Sequence, residues 1–268
     1  MIGSVRLRRG TGTDGGPEAG PGSAPWPPPR RGLAPLDPRL VGLLSPSSFE
    51  AEPYRILLGI LEGRRALQPA LVVAVTSAAP GDGKTTTSIN LAAMLARLPG
   101  SRVLLLDADL RRPSVAQRLG IRDEDDPGLD RALRHPELVA SESLVPCPGL
   151  PLSVLAAAEQ GSLPFEVLHS PAFGALLHQA RRAYRFVVVD TPPVVALPDA
   201  RVLAGLVDGF LLVVRAGATP RHLLAEALEA LEPERVLGIV FNGDERPYAG
   251  YYGRYRSYYH AARHSSKG

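Results

Sequence analysis

A three-layer α/β domain, with a mostly parallel sheet covered by helices on both faces, is the fold class predicted by three features of this sequence. Short aliphatic runs alternate with segments of helical apolar spacing. Several of those runs are apolar on both faces, as strands buried in a parallel sheet are. A glycine-containing loop separates the first run from the helical stretch that follows it, and such folds place their ligands beyond the carboxyl ends of the strands.

Taken in order, residues 1–46 hold nine glycines and nine prolines with little apolar content beyond Trp26 and scattered leucines. That composition buries too little surface to offset the entropy of ordering, so a disordered arm is expected there. The P-W-P-P-P run at Pro25–Pro29 reads as a solvated spacer, with a polyproline ligand as the alternative. A folded domain is expected over residues 47–244. Strands are predicted at Leu71–Thr76, Val103–Leu106, Leu152–Leu155, Phe186–Val189, Phe210–Val214 and Val236–Phe241. Phe173, Leu176, Leu177, Ala180 and Tyr184, and then Leu223, Leu224, Ala227, Leu228 and Leu231, recur every three or four residues and predict helices laid on the sheet. The acidic run Asp123–Asp126, just before Pro127 and Gly128, reads as a solvated loop. Residues 245–268 lack aliphatic side chains almost entirely and are expected to form a flexible tail. Six of the chain's eight tyrosines lie in it: Tyr248, Tyr251, Tyr252, Tyr255, Tyr258 and Tyr259.

The loop itself, Ala78 to Thr85, reads A-A-P-G-D-G-K-T. A strand feeding such a loop into a helix points backbone N–H groups and the positive helix end at one spot, which suits phosphate oxygens. This predicts a nucleotide triphosphate site and the P-loop NTPase fold, with Ala79, Pro80, Gly81, Asp82, Gly83, Lys84, Thr85 and Thr86 around the phosphates. Lys84 would reach the outer phosphates and the Thr85 hydroxyl a Mg²⁺ ion. Among 30 basic residues only Lys84 and Lys267 are lysines, so Lys84 is not a generic surface charge. Strand ends supply carboxylates: Asp107 and Asp109 in V-L-L-L-D-A-D, and Asp190 in F-V-V-V-D-T-P-P. With Thr85 they form an oxygen-only set suited to Mg²⁺, although a helix cap or a partner for Arg111 and Arg112 would explain Asp107 and Asp109 equally in kind. Asn242, after the last strand, reads as a base-contacting amide or as a turn residue.

The phosphate loop with its following T-T-T-S-I-N-L-A, the motif V-L-L-L-D-A-D-L-R-R-P and the motif F-V-V-V-D-T-P-P together resemble the bacterial tyrosine kinases, or BY-kinases, of capsular and exopolysaccharide assembly. The tyrosine-rich tail belongs to the same resemblance. It implies Walker A roles for Lys84 and Thr85, an additional A′ motif at Asp107 and Asp109, and a Walker B role for Asp190. Within the A′ pair it implies metal binding and help in deprotonating the attacking tyrosine. It further implies ATP as donor, autophosphorylation of the tail in trans between copies of a homo-oligomer, and a separate membrane chain-length protein as activator. Glu52 and Arg55 match the family's Glu-x-x-Arg-x-x-Arg assembly motif, while Leu58 stands at its second arginine, which leaves ring formation open.

Composition narrows the setting. A formal charge of +3 is too small to point to nucleic acid. The single cysteine, Cys147, forms no internal disulfide, and no apolar window of membrane-spanning length or signal-peptide character occurs, so a cytosolic protein is expected. Two other functions fit parts of the sequence. A partitioning-type ATPase switch shares the phosphate loop, but those relatives carry an additional lysine where Ala79 stands. Alternating Tyr and Arg in the tail also suits stacking on single-stranded nucleic acid.

Overall fold

The structure, a computed structural model, describes residues 3–6, 36–121, 128–137, 144–147, 149–157, 164–195 and 202–244. Its centre is an eight-stranded sheet in the order β1-β8-β7-β2-β6-β3-β5-β4. The strands are β1 (Gly3–Arg6), β2 (Leu71–Ser77), β3 (Val103–Asp107), β4 (Val145–Pro146), β5 (Leu152–Leu155), β6 (Phe186–Asp190), β7 (Gly209–Arg215) and β8 (Val236–Asn242). Every pairing is parallel except the short edge pair of β4 with β5. The six expected strands are all present, each lengthened by one or two residues at most.

Alternation along the strands explains the layers, because successive side chains point to opposite faces. Leu71, Val73 and Val75 of β2 enter a core shared with α1 (Val41–Leu44), α2 (Glu52–Arg65), α3 (Lys84–Leu95) and α4 (Val115–Leu119). Val72 and Ala74 enter the opposite core, with α5 (Gly128–Arg134), α6 (Pro164–His169), α7 (Pro171–Ala183) and α8 (Arg221–Leu231). Ser170 caps α7 by accepting the Phe173 N–H at 3.2 Å. Helix α3 is buried on nearly all sides, because α1 and α2 cover the face that the sheet leaves free.

The N-terminal region departs from the expectation of a disordered arm over 1–46. Gly3–Arg6 pair with β8 in the register Gly3 to Gly238, and Leu40 and Val41 are buried in the α3-side core. Edge pairing uses backbone groups alone, so composition gives no sign of it. The second segment is held by polar side chains: Asn90 Oδ1 accepts the Gly42 N–H at 2.9 Å, its Nδ2 donates to the Arg39 carbonyl at 2.8 Å, and Arg97 donates to the Gly42 carbonyl at 3.3 Å. The contact is close, since a Cβ at Gly42 would lie 2.6 Å from the Asn90 carbonyl oxygen. Residues 7–35, with Pro25–Pro29, the run Asp123–Asp126 and the tail from 245 lie outside the described residues.

Register also assembles the acids. β3 and β6 pair so that Asp107 stands opposite Asp190, and β6 in turn pairs with β2, which leads into the phosphate loop.

Candidate functional site

Gly81 and Gly83 adopt φ of +85° and +99°, left-handed values that other residues resist. They turn the chain from β2 into α3, with Gly83 as the residue before the helix and Lys84 as its first. Between them Asp82 is buried: its Oδ2 accepts the Ala79 N–H at 2.9 Å and its Oδ1 accepts the Thr219 hydroxyl at 2.7 Å. Burial raises the pKa of this carboxyl.

Lys84 Nζ lies 2.6 Å from Asp109 Oδ2, 3.7 Å from Asp190 Oδ2 and 3.3 Å from Thr85 Oγ1. Burial works against its charge, but Asp190 and Asp109 outweigh that and raise its pKa, so it stays an ammonium. Asp190 is fully buried and accepts the Thr85 hydroxyl at 2.6 Å and the Ser88 hydroxyl at 3.0 Å. Ser114 Oγ donates to Thr85 Oγ1 at 3.2 Å.

The two acids of the A′ motif part company. Asp109 lines the pocket. Asp107 faces inward: one oxygen accepts the Asp109 N–H at 3.1 Å, the other the Ser114 and Val115 N–H groups at 3.0 Å each. It therefore ties the loop after β3 to the start of α4, the capping alternative open in the sequence. Burial, with Asp190 beside it, pushes its pKa up to about 7.

Above these groups lies a pocket of about 530 Å³, within the size range of small-molecule sites. Pro80, Gly81, Gly83, Lys84, Thr85 and Thr86 form its floor, and Asn242 is at its wall. Asn242 does not present a free amide there, because its Nδ2 donates to the Asp82 carbonyl at 2.8 Å. Ala79 and Asp82 support the loop from behind. Thr85, Asp109 and Asp190 supply hard oxygen donors at the loop, although no three acids form a ready metal cage among the described residues. Oxygen donors of this kind suit an Mg²⁺ ion that arrives with phosphates and retains water.

Residues 73–247 match the model of the CobQ/CobB/MinD/ParA nucleotide binding domain. Tyrosine-protein kinase YwqD of Bacillus subtilis (strain 168) is 34% identical over 218 residues, covering 81% of this chain and 90% of YwqD. The chain belongs to the bacterial tyrosine kinase family. The succinoglycan biosynthesis transport protein ExoP of Rhizobium meliloti (strain 1021) is also 34% identical, over 78% of this chain but only 27% of ExoP. Among solved structures, the kinase domain of the Escherichia coli tyrosine kinase ETK superposes with a TM-score of 0.73 at 25% identity, covering 93% of this chain and 94% of that one. The resemblance carried by the three motifs and the α/β P-loop fold are thus both borne out.

In this bacterial tyrosine kinase most of the arginines at the pocket had no signal in the sequence. Arg39, Arg111, Arg112, Arg118 and Arg215 line the pocket against the acids Glu50 and Asp109. Arg118 donates to the Thr86 hydroxyl at 3.2 Å and lies 3.6 Å from Asp37, which also holds Arg39 in a two-pronged pair. That fork holds the Asp37 carboxyl below its usual range. Ser114 is likewise visible only once α4 is placed. The sequence had Arg111 and Arg112 in view only as partners for the acids. No helix among the described residues is long and apolar enough to cross a membrane.

Proposed function

We propose that this kinase is an ATP- and Mg²⁺-dependent protein-tyrosine autokinase that phosphorylates Tyr248, Tyr251, Tyr252, Tyr255, Tyr258 and Tyr259 of a neighbouring copy. The observation that carries the reading is the convergence of Lys84, Thr85, Asp109 and Asp190 at one end of the sheet, in a chain whose tyrosines concentrate in its tail. Lys84 and the N–H groups of the glycine loop hold the β- and γ-phosphates. Thr85, with Asp109 and Asp190 directly or through water, holds the metal ion. A bound Mg²⁺ would supply charge neutralisation at the phosphates. Asp109, at the pocket, accepts the proton of the attacking hydroxyl, whose pKa near about 10 makes it a weak nucleophile unaided. Asp107, committed to backbone N–H groups, fixes the loop that carries Asp109.

The name of ExoP, a succinoglycan biosynthesis transport protein, supports a role in polysaccharide polymerisation or export. With that role goes a cytosolic homo-oligomer recruited to the membrane by a separate chain-length protein. Purified protein incubated with Mg²⁺ and γ-labelled ATP should transfer label to the tail, as read by mass spectrometry of the C-terminal peptide. Lys84→Met should abolish it. ATP hydrolysis without any phosphotyrosine, with or without an activator segment, would instead favour a nucleotide switch.

A further inference from the structure

The glycines flanking Asp82 are a mechanical weakness. With no side chains at Gly81 and Gly83, the loop has little of its own to hold the backbone in its left-handed turns. The restraint comes from far along the chain. Thr219, in the loop after β7, donates its hydroxyl to Asp82 Oδ1 at 2.7 Å and accepts the Arg215 N–H at 2.7 Å. Its proton is thereby directed, since the hydroxyl's acceptor side is already engaged. Asp82 passes the restraint on through its other oxygen, 2.9 Å from the Ala79 nitrogen. Asn242 grips the same residue from the end of β8 through the Asp82 carbonyl at 2.8 Å. A Cβ at Gly83 would lie 1.9 Å from the Asn242 amide nitrogen, so the grip also requires the glycine.

We propose that Thr219 is a positioning residue for phosphoryl transfer: through Asp82, and with Asn242 as a second grip, it holds the phosphate loop in its anion-accepting shape before nucleotide arrives. This rests on the kinase reading only for its nucleotide readout. Neither Asp82 nor Thr219 is among the residues that line the pocket, so Thr219 acts through the loop and not by touching substrate.

Thr219→Val keeps the shape and removes both hydrogen bonds; Thr219→Ser keeps the hydroxyl. Amide exchange at Ala79 is measured on the nucleotide-free full chain, alongside thermal unfolding, titration with a fluorescent ATP analogue, and the KM and kcat of tail labelling. Losing a buried bond to a charged acceptor predicts roughly tenfold faster exchange at Ala79 and roughly tenfold weaker nucleotide binding in Thr219→Val. KM for ATP should rise by the same factor, with kcat changed less than about twofold. Thr219→Ser should return each value to that of the native chain. Asp82→Asn, which weakens the same link from the other side, provides an independent variant should Thr219→Val unfold. Native exchange at Ala79 in folded Thr219→Val or Asp82→Asn, or failure of Thr219→Ser to restore it, would overturn the proposal. Exchange decides the clamp whether or not label transfer occurs, so failure of the kinase reading is told apart.

Discussion

Replacing Asp109 by Asn should make the protein bind nucleotide better and use it worse. The ammonium that would grip phosphate is paired, 2.6 Å from Asp109 Oδ2, with side-chain exposures of only 12% and 6%. At an effective dielectric constant of about 20, two unit charges at that distance attract by about 6 kcal/mol before desolvation is counted. The net worth of a hydrogen bond to a charged group is smaller, about 1.5–3 kcal/mol. Incoming phosphate must displace that partner, so removing its charge should tighten ATP binding in EDTA by roughly ten- to a hundredfold. With Mg²⁺ the gain should shrink, because the ion loses an oxygen ligand. Transfer to tyrosine should fall by about a hundredfold or more with the proton acceptor gone. Fluorescent-nucleotide titrations with and without metal, paired with label transfer, separate the two effects. Equal or weaker metal-free binding by folded Asp109→Asn would refute the reasoning.

Three further outcomes follow from the geometry. Gly83→Ala should weaken nucleotide binding by well over tenfold, because a φ of +99° costs an L-residue about 1–2 kcal/mol and the new methyl expels Asn242; isothermal titration tests this, with thermal unfolding as the control. Asn90→Ala should destabilise the fold by about 2–4 kcal/mol in urea denaturation, since it leaves the Gly42 N–H and Arg39 carbonyl without their partner. An unchanged urea midpoint would mean that Asn90 does not stabilise residues 36–44. The Cys147 thiol, pushed up to about 12 by burial, should resist thiol reagents at pH 8 until the protein unfolds; fast labelling of native protein would contradict that.

Much of this molecule was legible from residue patterns that act locally. Buried parallel strands must be aliphatic on both faces, so β2, β3, β5, β6, β7 and β8 announced themselves, as did the amphipathic α7 and α8. The phosphate loop and the three aspartates were visible because their chemistry depends on residue type at fixed spacing. What stayed hidden depends on long-range pairing. Gly3–Arg6 join the sheet through backbone groups, which leave no compositional trace. Arg39 and Arg118 share Asp37 in a segment that composition marks as unstructured and that Asn90 helps to fasten. Asp107 and Asp109 looked equivalent by alternation, yet β3 ends at Asp107 and the chain turns there, so one faces the protein and the other the pocket. Thr219 and Asn242 lie 137 and 160 residues from Asp82, too far for any spacing rule.

The pairing of β1 with β8 sets a timetable for biosynthesis. Gly3–Arg6 find their sheet neighbour only after residues 236–242 have been made, so β1 waits for the whole intervening domain before it can pair. Asn242 arrives in that same late stretch. A chain that stops short of residue 236 therefore lacks both the edge closure and one support of the phosphate loop.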